Sequence, residues 1–345
     1  MVKSVSRRGF FGASAGLLLA SRTNATPALT PAAIAKGESR RGNITAAMKL
    51  IDKEIVAGLR GKKSIIIKPN IVNTQRQLAS THVDALNGIL DYIATTKWNG
   101  AVYIAEASAG FTTEGYSNFK YQQAVDEHKK LNVKLVDLNE VGLFETIHLL
   151  NGDLHPQPVR LAQQLLDPDA FVICSCMLKT HNTVIATMNI KNMALGIPLH
   201  SKRSETKKWN DKRVYHGGVR QTHYDIMRTA ERMHRNWGVG VIDGFEGMEG
   251  NGPNSGSPVA SKIAIASRDM LAADRIGSEC MGIDPAVLGY LQWCEKVGVG
   301  TWDRAKIEVR GETVESVVKK YRLHTDVERM MQWMGPLTEL PPKLG

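Results

Sequence analysis

From residue 29 onwards, the sequence contains few cysteines and none of the short motifs that mark common catalytic sites. Its 345 residues include four cysteines, and none of them follow the C-x2-C-x2-C spacing that binds an iron–sulphur cluster. The motifs H-E-x-x-H, C-x-x-C and G-x-G-x-x-G are also absent, as is the Walker phosphate loop, and G-x-S-x-G occurs only at residues 12–16, in the apolar run near the N-terminus. We therefore expect no iron–sulphur cluster, and no known motif assigns a reaction class.

The sequence also lacks the dense basic stripe of a nucleic-acid-binding protein. The net charge is +10, and the first 28 residues contribute four basic side chains and no acidic one. The remaining chain therefore carries about +6, with its lysines scattered along the sequence. Such a mild positive charge suits small anionic molecules, and we expect no nucleic-acid partner.

Residues 1–28 resemble a twin-arginine export signal. Residues 6–11 read Ser-Arg-Arg-Gly-Phe-Phe, and a modest apolar run follows that is too short to span a bilayer comfortably. The alternative is a fortuitous Arg-Arg pair before an amphipathic helix. The signal predicts export through the twin-arginine translocase to a periplasmic or extracytoplasmic location. It also predicts that the mature protein is not an integral membrane protein.

Short apolar strands alternate with helical patterns along most of the chain, which predicts an α/β fold. We expect an open, mostly parallel sheet flanked by helices, with a β-hairpin insertion near residues 144–152 and a long basic loop at 201–222. The Pro-, Ala- and Arg-rich residues 29–43 indicate a linker. The predicted domain spans 44–325, and 326–345 form a C-terminal tail. The pattern of residues 159–166 favours a helix.

Four predicted strands end in polar residues that differ in charge. The endings are 68–70, 106–108, 179–181 and 243–249. Because the carboxyl ends of parallel strands lie along one edge of a sheet, these side chains are expected to line one cleft.

The residues at these endings suggest an anion site with acid/base or metal chemistry. Lys68, Lys179 and Lys191 would hold a phosphate or carboxylate, unless they are simply exposed lysines at loop starts. His181 and His200 would act as general acid/base groups or, with Glu249, as metal ligands. The alternative for each histidine is a structural or exposed role.

Residues 243–256 form a glycine-rich segment with five glycines among fourteen residues. Backbone N–H groups at Gly250 and Gly252 could cradle a ligand. The acidic residues Asp243 and Glu249 favour a cation or a hydroxylated ligand over phosphate. A mobile surface hairpin is the alternative.

The chain resembles the domain-of-unknown-function 362 family over roughly residues 60–310. The resemblance rests on Lys68-Pro69-Asn70, Lys179-Thr180-His181, Lys191-Asn192-(x)3-Gly196, Asp243-Gly244-(x)4-Glu249-Gly250-Asn251-Gly252-Pro253-(x)2-Gly256, Asp269-(x)4-Asp274 and Met281-Gly282-Ile283-Asp284-Pro285. The family has no general assigned activity, and some members are associated with iron–sulphur ferredoxin modules. This chain lacks the cluster cysteines of those members.

A fainter similarity is to the lactate racemase family, whose members use a nickel pincer cofactor. In that family a histidine that follows a strand and a lysine about ten residues later carry function. The resemblance implies that His181 and Lys191 correspond to them.

These observations lead to two hypotheses from different classes. The first is an exported enzyme that acts on a small anionic substrate, with a divalent metal or an exported organic cofactor as options. The second is a non-catalytic periplasmic ligand-binding or cofactor-carrying protein. In the first, the catalytic residues would be His181, Lys179, Lys191 and Glu249, and the substrate-binding residues would be Lys68, Asn70, Asn192, Asp243, Gly250 and Gly252.

Overall fold

A computed structural model describes residues 29–334 of the chain. The predicted export signal at 1–28 lies outside the described residues. The strands are β1 (Thr30–Lys36), β2 (Ser64–Lys68), β3 (Ala101–Glu106), β4 (Val133–Asp137), β5 (Phe144–Leu150), β6 (Pro156–Ala162), β7 (Ala170–His181), β8 (Ile185–Thr187), β9 (Trp237–Glu249), β10 (Ser257–Val259), β11 (Ile263–Ser267) and β12 (Ile307–Gly311). The helices are α1 (Arg40–Lys49), α2 (Asp52–Leu59), α3 (Val83–Thr95), α4 (Thr112–Asn118), α5 (Tyr121–Glu127), α6 (Leu138–Val141), α7 (Asn189–Gly196), α8 (Val219–Met233), α9 (Met270–Cys280), α10 (Gly289–Lys296), α11 (Val314–Val317) and α12 (Val327–Met330).

The sheet confirms the predicted α/β fold. Its main path runs β12-β1-β11-β9-β7-β2-β3-β4, and β8 and β10 pair with β7 and β9. The pairs β4–β3, β3–β2, β2–β7 and β7–β9 are all parallel. The carboxyl ends of these five strands therefore lie along one edge. The predicted hairpin is present as β5 and β6, which form a separate antiparallel pair.

The core lies on both faces of the sheet. All twelve residues of β7 are buried, as expected for a central parallel strand whose two faces are covered by helices. One apolar cluster contains residues of α7 and α9. The other contains residues of α1 and α3. A polar side chain at a strand end therefore lies either on the face covered by α7 and α9 or on the face covered by α1 and α3.

The prediction of a linker at 29–43 was wrong. Residues 30–36 form β1, which pairs with β11 and β12, and Ser39 caps α1 by accepting a hydrogen bond from the Gly42 N–H. The small apolar residues that suggested a linker are buried, because little space separates the sheet from its helices at Ala32 and Ala33.

Two further expectations near the ends of elements need correction. The segment predicted to be helical at 159–166 is the end of β6 followed by a 3-10 turn at Gln163–Leu166, because pairing with β5 fixes an extended backbone. The start of the predicted tail is also structured: α12 is followed by a 3-10 turn in which Trp333 is buried.

The first part of the glycine-rich segment, up to Glu249, belongs to a strand. Strand β9 continues to Glu249, and Gly244 and Gly247 lie within it. A Cβ on Gly244 would lie 2.7 Å from the Ile263 side chain, so this glycine serves close strand packing. The basic loop is likewise shorter than predicted, because it contains a 3-10 turn at Asp211–His216 and the start of α8. Among residues 29–334, no helix is long and apolar enough to cross a membrane.

Candidate functional site

A cleft of about 350 Å³ opens at the carboxyl edge of the parallel strands. The segment after β2, the ends of β3 and β7, helix α7 and the basic loop all contribute to its walls. Both polar and apolar side chains face this space, as is usual for small-molecule sites. The residues that line the cleft include Asn70, Glu106, His181, Thr183, Lys191, Asn192, Gly196, Asn210, Lys212, Arg213, His216, Pro253 and Asn254.

A buried polar network forms the floor of the cleft. The Lys68 ammonium donates to both oxygens of Glu106 at 3.1 Å and to Asn192 Oδ1 at 3.0 Å. Asn70 links this group to the next lysine, since its Nδ2 donates to Asn192 Oδ1 and its Oδ1 accepts from Lys179 Nζ at 2.8 Å. Four predicted site residues are therefore brought together, but each is already bonded to protein.

Gly196 makes room for the Lys68 side chain. A Cβ at this position would lie 2.1 Å from Lys68 Nζ, a distance that no side chain could occupy without displacing the ammonium group. Glu106 and Gly196 were absent from the predicted site. The polar end of β3 and the motif that ends at Gly196 were the signals that could have placed them there.

Helix α7 carries Lys191 into the cleft, and a buried carboxylate fixes the start of this helix. Asp274 accepts hydrogen bonds from the N–H groups of Asn189 and Ile190, at 2.8 and 2.9 Å, and from Asn189 Nδ2 at 2.9 Å. Burial raises the pKa of Asp274 to about 7. A carboxylate at a helix start satisfies N–H groups that lack partners within the helix.

Lys191 differs from the other buried lysines because its amine has no partner. It is 7% exposed, and the amine makes no hydrogen bond or ion pair with any residue in the range 29–334. Burial lowers its pKa to about 7. Lys191 therefore presents to the cleft an amine that is able to accept or donate a proton near neutral pH.

Lys179 and Lys212 are buried like Lys191, but their amines are bonded to backbone carbonyls. Burial lowers the pKa of Lys179 and of Lys212 to about 7 as well. However, Lys179 Nζ donates to the Ala79 carbonyl at 2.7 Å, and Lys212 Nζ donates to the carbonyls of Leu195 and Pro198. Both amines hold backbone in place, and Lys179 does not line the cleft.

His181 presents a hydrogen-bond donor to the cleft. The Thr183 N–H donates to His181 Nδ1 at 3.0 Å, so in the neutral ring the hydrogen resides on Nε2. Burial, followed by the positive charge of Lys191, holds the pKa of His181 well below its ordinary value. The ring is therefore neutral at pH 7, with Nε2–H as a donor.

This tautomer does not fit a metal at His181. A ligating imidazole normally coordinates through one nitrogen while the other donates its N–H to an acceptor. In His181 the second nitrogen accepts from a backbone N–H, which leaves no lone pair on Nε2. The nickel-cofactor role implied by the fainter resemblance is therefore not one that this histidine fits.

The other predicted metal ligands lie elsewhere. His200 Nδ1 and Nε2 face the carbonyls of Ser201 and Gly110, at 2.8 and 3.2 Å, so neither nitrogen is free to bind a metal. Glu249 is bound by Arg322, through the backbone N–H at 2.9 Å and the guanidinium at 3.4 Å. In the part of the chain that the structure describes, no three His, Cys, Asp or Glu side chains form a group that could hold a metal ion.

The acidic end of β9 does not reach the cleft. Asp243 lies 3.0 Å from Arg40 at the start of α1, on the face of the sheet opposite to α7. Burial raises the pKa of Asp243, and the nearby Arg40 charge opposes the shift. Because residues 29–43 were predicted to be a linker, Arg40 was not expected to contact the sheet. The sequence therefore indicated a ligand, and not Arg40, as the partner of Asp243.

The predicted glycines contribute indirectly. Thr180 Oγ1 donates to the Gly250 carbonyl at 2.8 Å, and a Cβ on Gly252 would lie 2.1 Å from the Thr180 carbonyl oxygen. This close approach brings Pro253 and Asn254 to the cleft wall. The backbone N–H of Gly252 donates to the Gly250 carbonyl, so it does not cradle a ligand.

The basic loop supplies cleft residues that the sequence did not single out. Lys212, Arg213 and His216 line one wall, and the side chain of Arg213 makes no ion pair or hydrogen bond within 29–334. Burial and the Lys191 charge lower the pKa of His216. The sequence predicted a long basic loop here, but the lack of periodicity in the loop gave no indication of which side chains turn inward.

The protein is of the α/β class, with a mostly parallel sheet and a lysine-rich cleft at the carboxyl edge of its parallel strands. The chain belongs to the family described as domain of unknown function (DUF362), whose model matches residues 65–279. Part of the chain is similar to the thylakoid-associated protein sll1697 of Synechocystis sp., with 27% identity over 141 residues, which is 41% of each protein. The chain thus matches less than half of that relative's length.

Two solved structures are also similar to this chain. The lactate racemase apoprotein from Thermoanaerobacterium thermosaccharolyticum has a TM-score of 0.43 at 14% identity, covering 78% of this chain and 57% of that one. A structural-genomics protein from Thermotoga maritima has a TM-score of 0.40 at 9% identity, covering 76% and 59%. This chain spans less than two thirds of either protein.

Proposed function

We propose that the cleft is the active site of an enzyme that moves a proton on a small anionic substrate, with Lys191 as the acid/base group. One observation carries the proposal: a buried lysine amine faces the cleft without a hydrogen-bond or ion-pair partner among residues 29–334. Burying an amine unpaired costs stability. Such a group is retained when a ligand or a reaction uses it.

The charges of the cleft favour an anion. Lys191, Lys212 and Arg213 line the space. Glu106 is the one carboxylate among the lining residues, and Lys68 neutralises it at 3.1 Å. A substrate carboxylate or phosphate would therefore find the Arg213 guanidinium, which makes no ion pair within 29–334, and a neutral His181 N–H donor.

The proton transfer follows from the states of Lys191 and His181. The neutral Lys191 amine accepts a proton from a substrate carbon next to a carbonyl or carboxylate group, and the electron pair of the broken C–H bond remains on the substrate. His181 Nε2–H donates to the substrate oxygen on which negative charge develops. The Lys191 ammonium then returns its proton to a substrate carbon, which gives an isomer.

Solvent-exchange measurements would test this proposal. The protein would be incubated in D2O with a panel of small carboxylates and phosphate esters, and deuterium incorporation would be followed by NMR. We expect incorporation into at least one compound, and its loss in Lys191→Met. Lys207→Met is the matched control, because Lys207 is an exposed lysine of the basic loop that does not line the cleft.

Two results would contradict the proposal. If Lys191→Met folds and exchanges at the wild-type rate, Lys191 is not the acid/base group. If compounds bind with Lys191-dependent affinity but no deuterium is incorporated, the protein is instead the non-catalytic ligand-binding protein of the second hypothesis.

We also propose that the chain is exported by the twin-arginine route. The Arg7-Arg8 pair and the apolar run that follows support this location. Replacing both arginines by lysine should retain the full-length precursor in the cytoplasm, as judged by cell fractionation. Unchanged export of this variant would argue against the route.

A further inference from the structure

We propose that the substrate carries a second anionic group, which binds in an outer groove continuous with the cleft. This inference rests on the proposed function of the cleft. The groove has a volume of about 340 Å³. Its lining residues, which define the outer groove, are Ala109, Gly110, Phe111, His200, Ser201, Lys202, Lys208, Trp209, Asn210 and Arg213.

The outer groove adjoins the cleft directly. Ala109, Asn210 and Arg213 line both spaces, so the two spaces meet at these residues. Arg213 stands at this boundary with its guanidinium unpaired among residues 29–334. A planar guanidinium at this point is suited to bidentate binding of a carboxylate or phosphate.

The charge of the outer groove is positive. Lys202, Lys208 and Arg213 line it, and none of the described residues that line it is acidic. The Lys202 amine makes no ion pair or hydrogen bond with the described part of the chain, whereas the Lys208 amine donates to the carbonyls of Lys202 and Arg203, at 3.3 and 3.0 Å. A carbonyl oxygen does not neutralise an ammonium charge, so three positive charges remain available.

The acidic side chains nearby are already occupied. Glu205 accepts from the Lys202 N–H at 3.0 Å and from the Trp209 indole N–H at 2.8 Å. Those two bonds, the backbone one foremost, lower the pKa of Glu205. Glu140 accepts from the Arg203 N–H at 2.8 Å. Neither carboxylate forms an ion pair with Lys202 or Arg213.

The groove also has a rigid wall. The Arg160 guanidinium stacks over the Trp209 ring at 3.2 Å from the ring centroid, and Arg160 is in turn bonded to Asp211 at 2.8 and 2.9 Å. On the opposite side, Arg203 lies 4.4 Å from the centroid of the Phe111 ring. These contacts fix the loop that presents Arg213, so the groove exists before a ligand binds.

Dicarboxylate probes of increasing length would test the second anion site. Calorimetry would compare linear α,ω-dicarboxylates with monocarboxylates of the same chain length. We expect one range of lengths at which the dicarboxylate binds roughly tenfold more tightly or better, as an added charge-assisted contact implies. Lys202→Gln combined with Lys208→Gln should abolish this difference, because both residues line the outer groove and not the cleft. Lys207→Gln should preserve it.

The outcomes separate this inference from the proposed function. If dicarboxylates bind no more tightly than monocarboxylates at any length, or if the double variant weakens both classes equally, the second anion site is refuted. Monocarboxylate binding that is lost in Lys191→Met would still support the cleft in that case. Dicarboxylate binding that depends on Lys202 and Lys208 but not on Lys191 would instead support the groove and contradict the proposed function. If neither class of carboxylate binds, both are refuted.

Discussion

The carboxyl edge of the sheet has two regions that look alike in the sequence and differ in the structure. At the ends of β2, β3 and β7, polar side chains bond one another and leave Lys191 unpaired at the cleft. At the end of β9, Asp243 and Glu249 are each bound by an arginine from another part of the chain. Polar residues at strand ends therefore do not define a site by themselves. The unpaired group distinguishes the two regions.

The same contrast exists between two lysines of the cleft region. Lys68 and Lys191 are both buried, but Lys68 is bonded to Glu106 and Asn192. We infer that Lys68 maintains the structure and that Lys191 serves the ligand. Variants of the two lysines should accordingly have opposite effects on stability and on binding.

Lys68→Met should have the largest effect on stability. It leaves the Glu106 carboxylate buried and without its partner, which costs about 3–5 kcal/mol. Urea denaturation followed by circular dichroism would measure the loss. Lys68→Met combined with Glu106→Gln should recover part of it, because no charge is then left unpaired. A Lys68→Met variant as stable as the wild type would contradict the assigned role.

Lys191→Met should preserve the fold and raise its stability at pH 7 by about 1–3 kcal/mol, since it removes an amine that is costly to bury charged. Denaturation of the two proteins in parallel would measure the gain. Binding of the anionic compounds identified by solvent exchange should be lost. A destabilised variant would show that Lys191 has a structural partner.

The stability of the wild type should rise with pH. The pKa of Lys191 falls from an ordinary value of 10.5 to about 7 in the folded protein. Between these values the unfolded chain binds more protons than the folded one, so the free energy of unfolding increases as pH rises. Denaturation midpoints from pH 7 to pH 9 should increase, and more weakly in Lys191→Met, where Lys179 and Lys212 still contribute. Equal slopes in the two proteins would contradict the shift.

Glu249→Gln should have the smallest effect. Its partner Arg322 is mostly exposed, and exposed ion pairs contribute less than about 1 kcal/mol. We expect a small loss of stability and unchanged anion binding, measured by denaturation and calorimetry. Loss of anion binding in this variant would show that Glu249 belongs to the binding site. The end of β9 would then not differ in function from the ends of β2, β3 and β7.

The sequence predicted the central fold well because its signals are local. The continuous apolar run of β7 and the alternation of strands and helices determine a parallel sheet, and the hairpin of β5 and β6 was also recognised. The sequence did not predict β1. Its short run of small residues is stabilised by pairing with β11 and β12, which are distant in the chain, and local composition does not encode such pairing.

The sequence predicted only part of the cleft, and it did not predict which residues are bonded to one another. Lys68, Asn70, Asn192 and Lys191 do lie together, as parallel topology required. Which of them is already bonded depends on partners from other strands and helices. A lysine that binds Glu106 and one that faces the cleft without a partner among the described residues have the same appearance in a sequence.

The central claim is that the Lys191 amine faces the cleft with a pKa near neutral, so that it can exchange a proton with an anionic ligand. The most direct test is the pH titration of lysine 13Cε resonances by NMR, with Lys191 assigned by the signal missing from Lys191→Met. We predict a midpoint near pH 7, which rises when a bound anion stabilises the ammonium form. A midpoint near 10.5, or one that is unchanged by the ligand, would contradict this account.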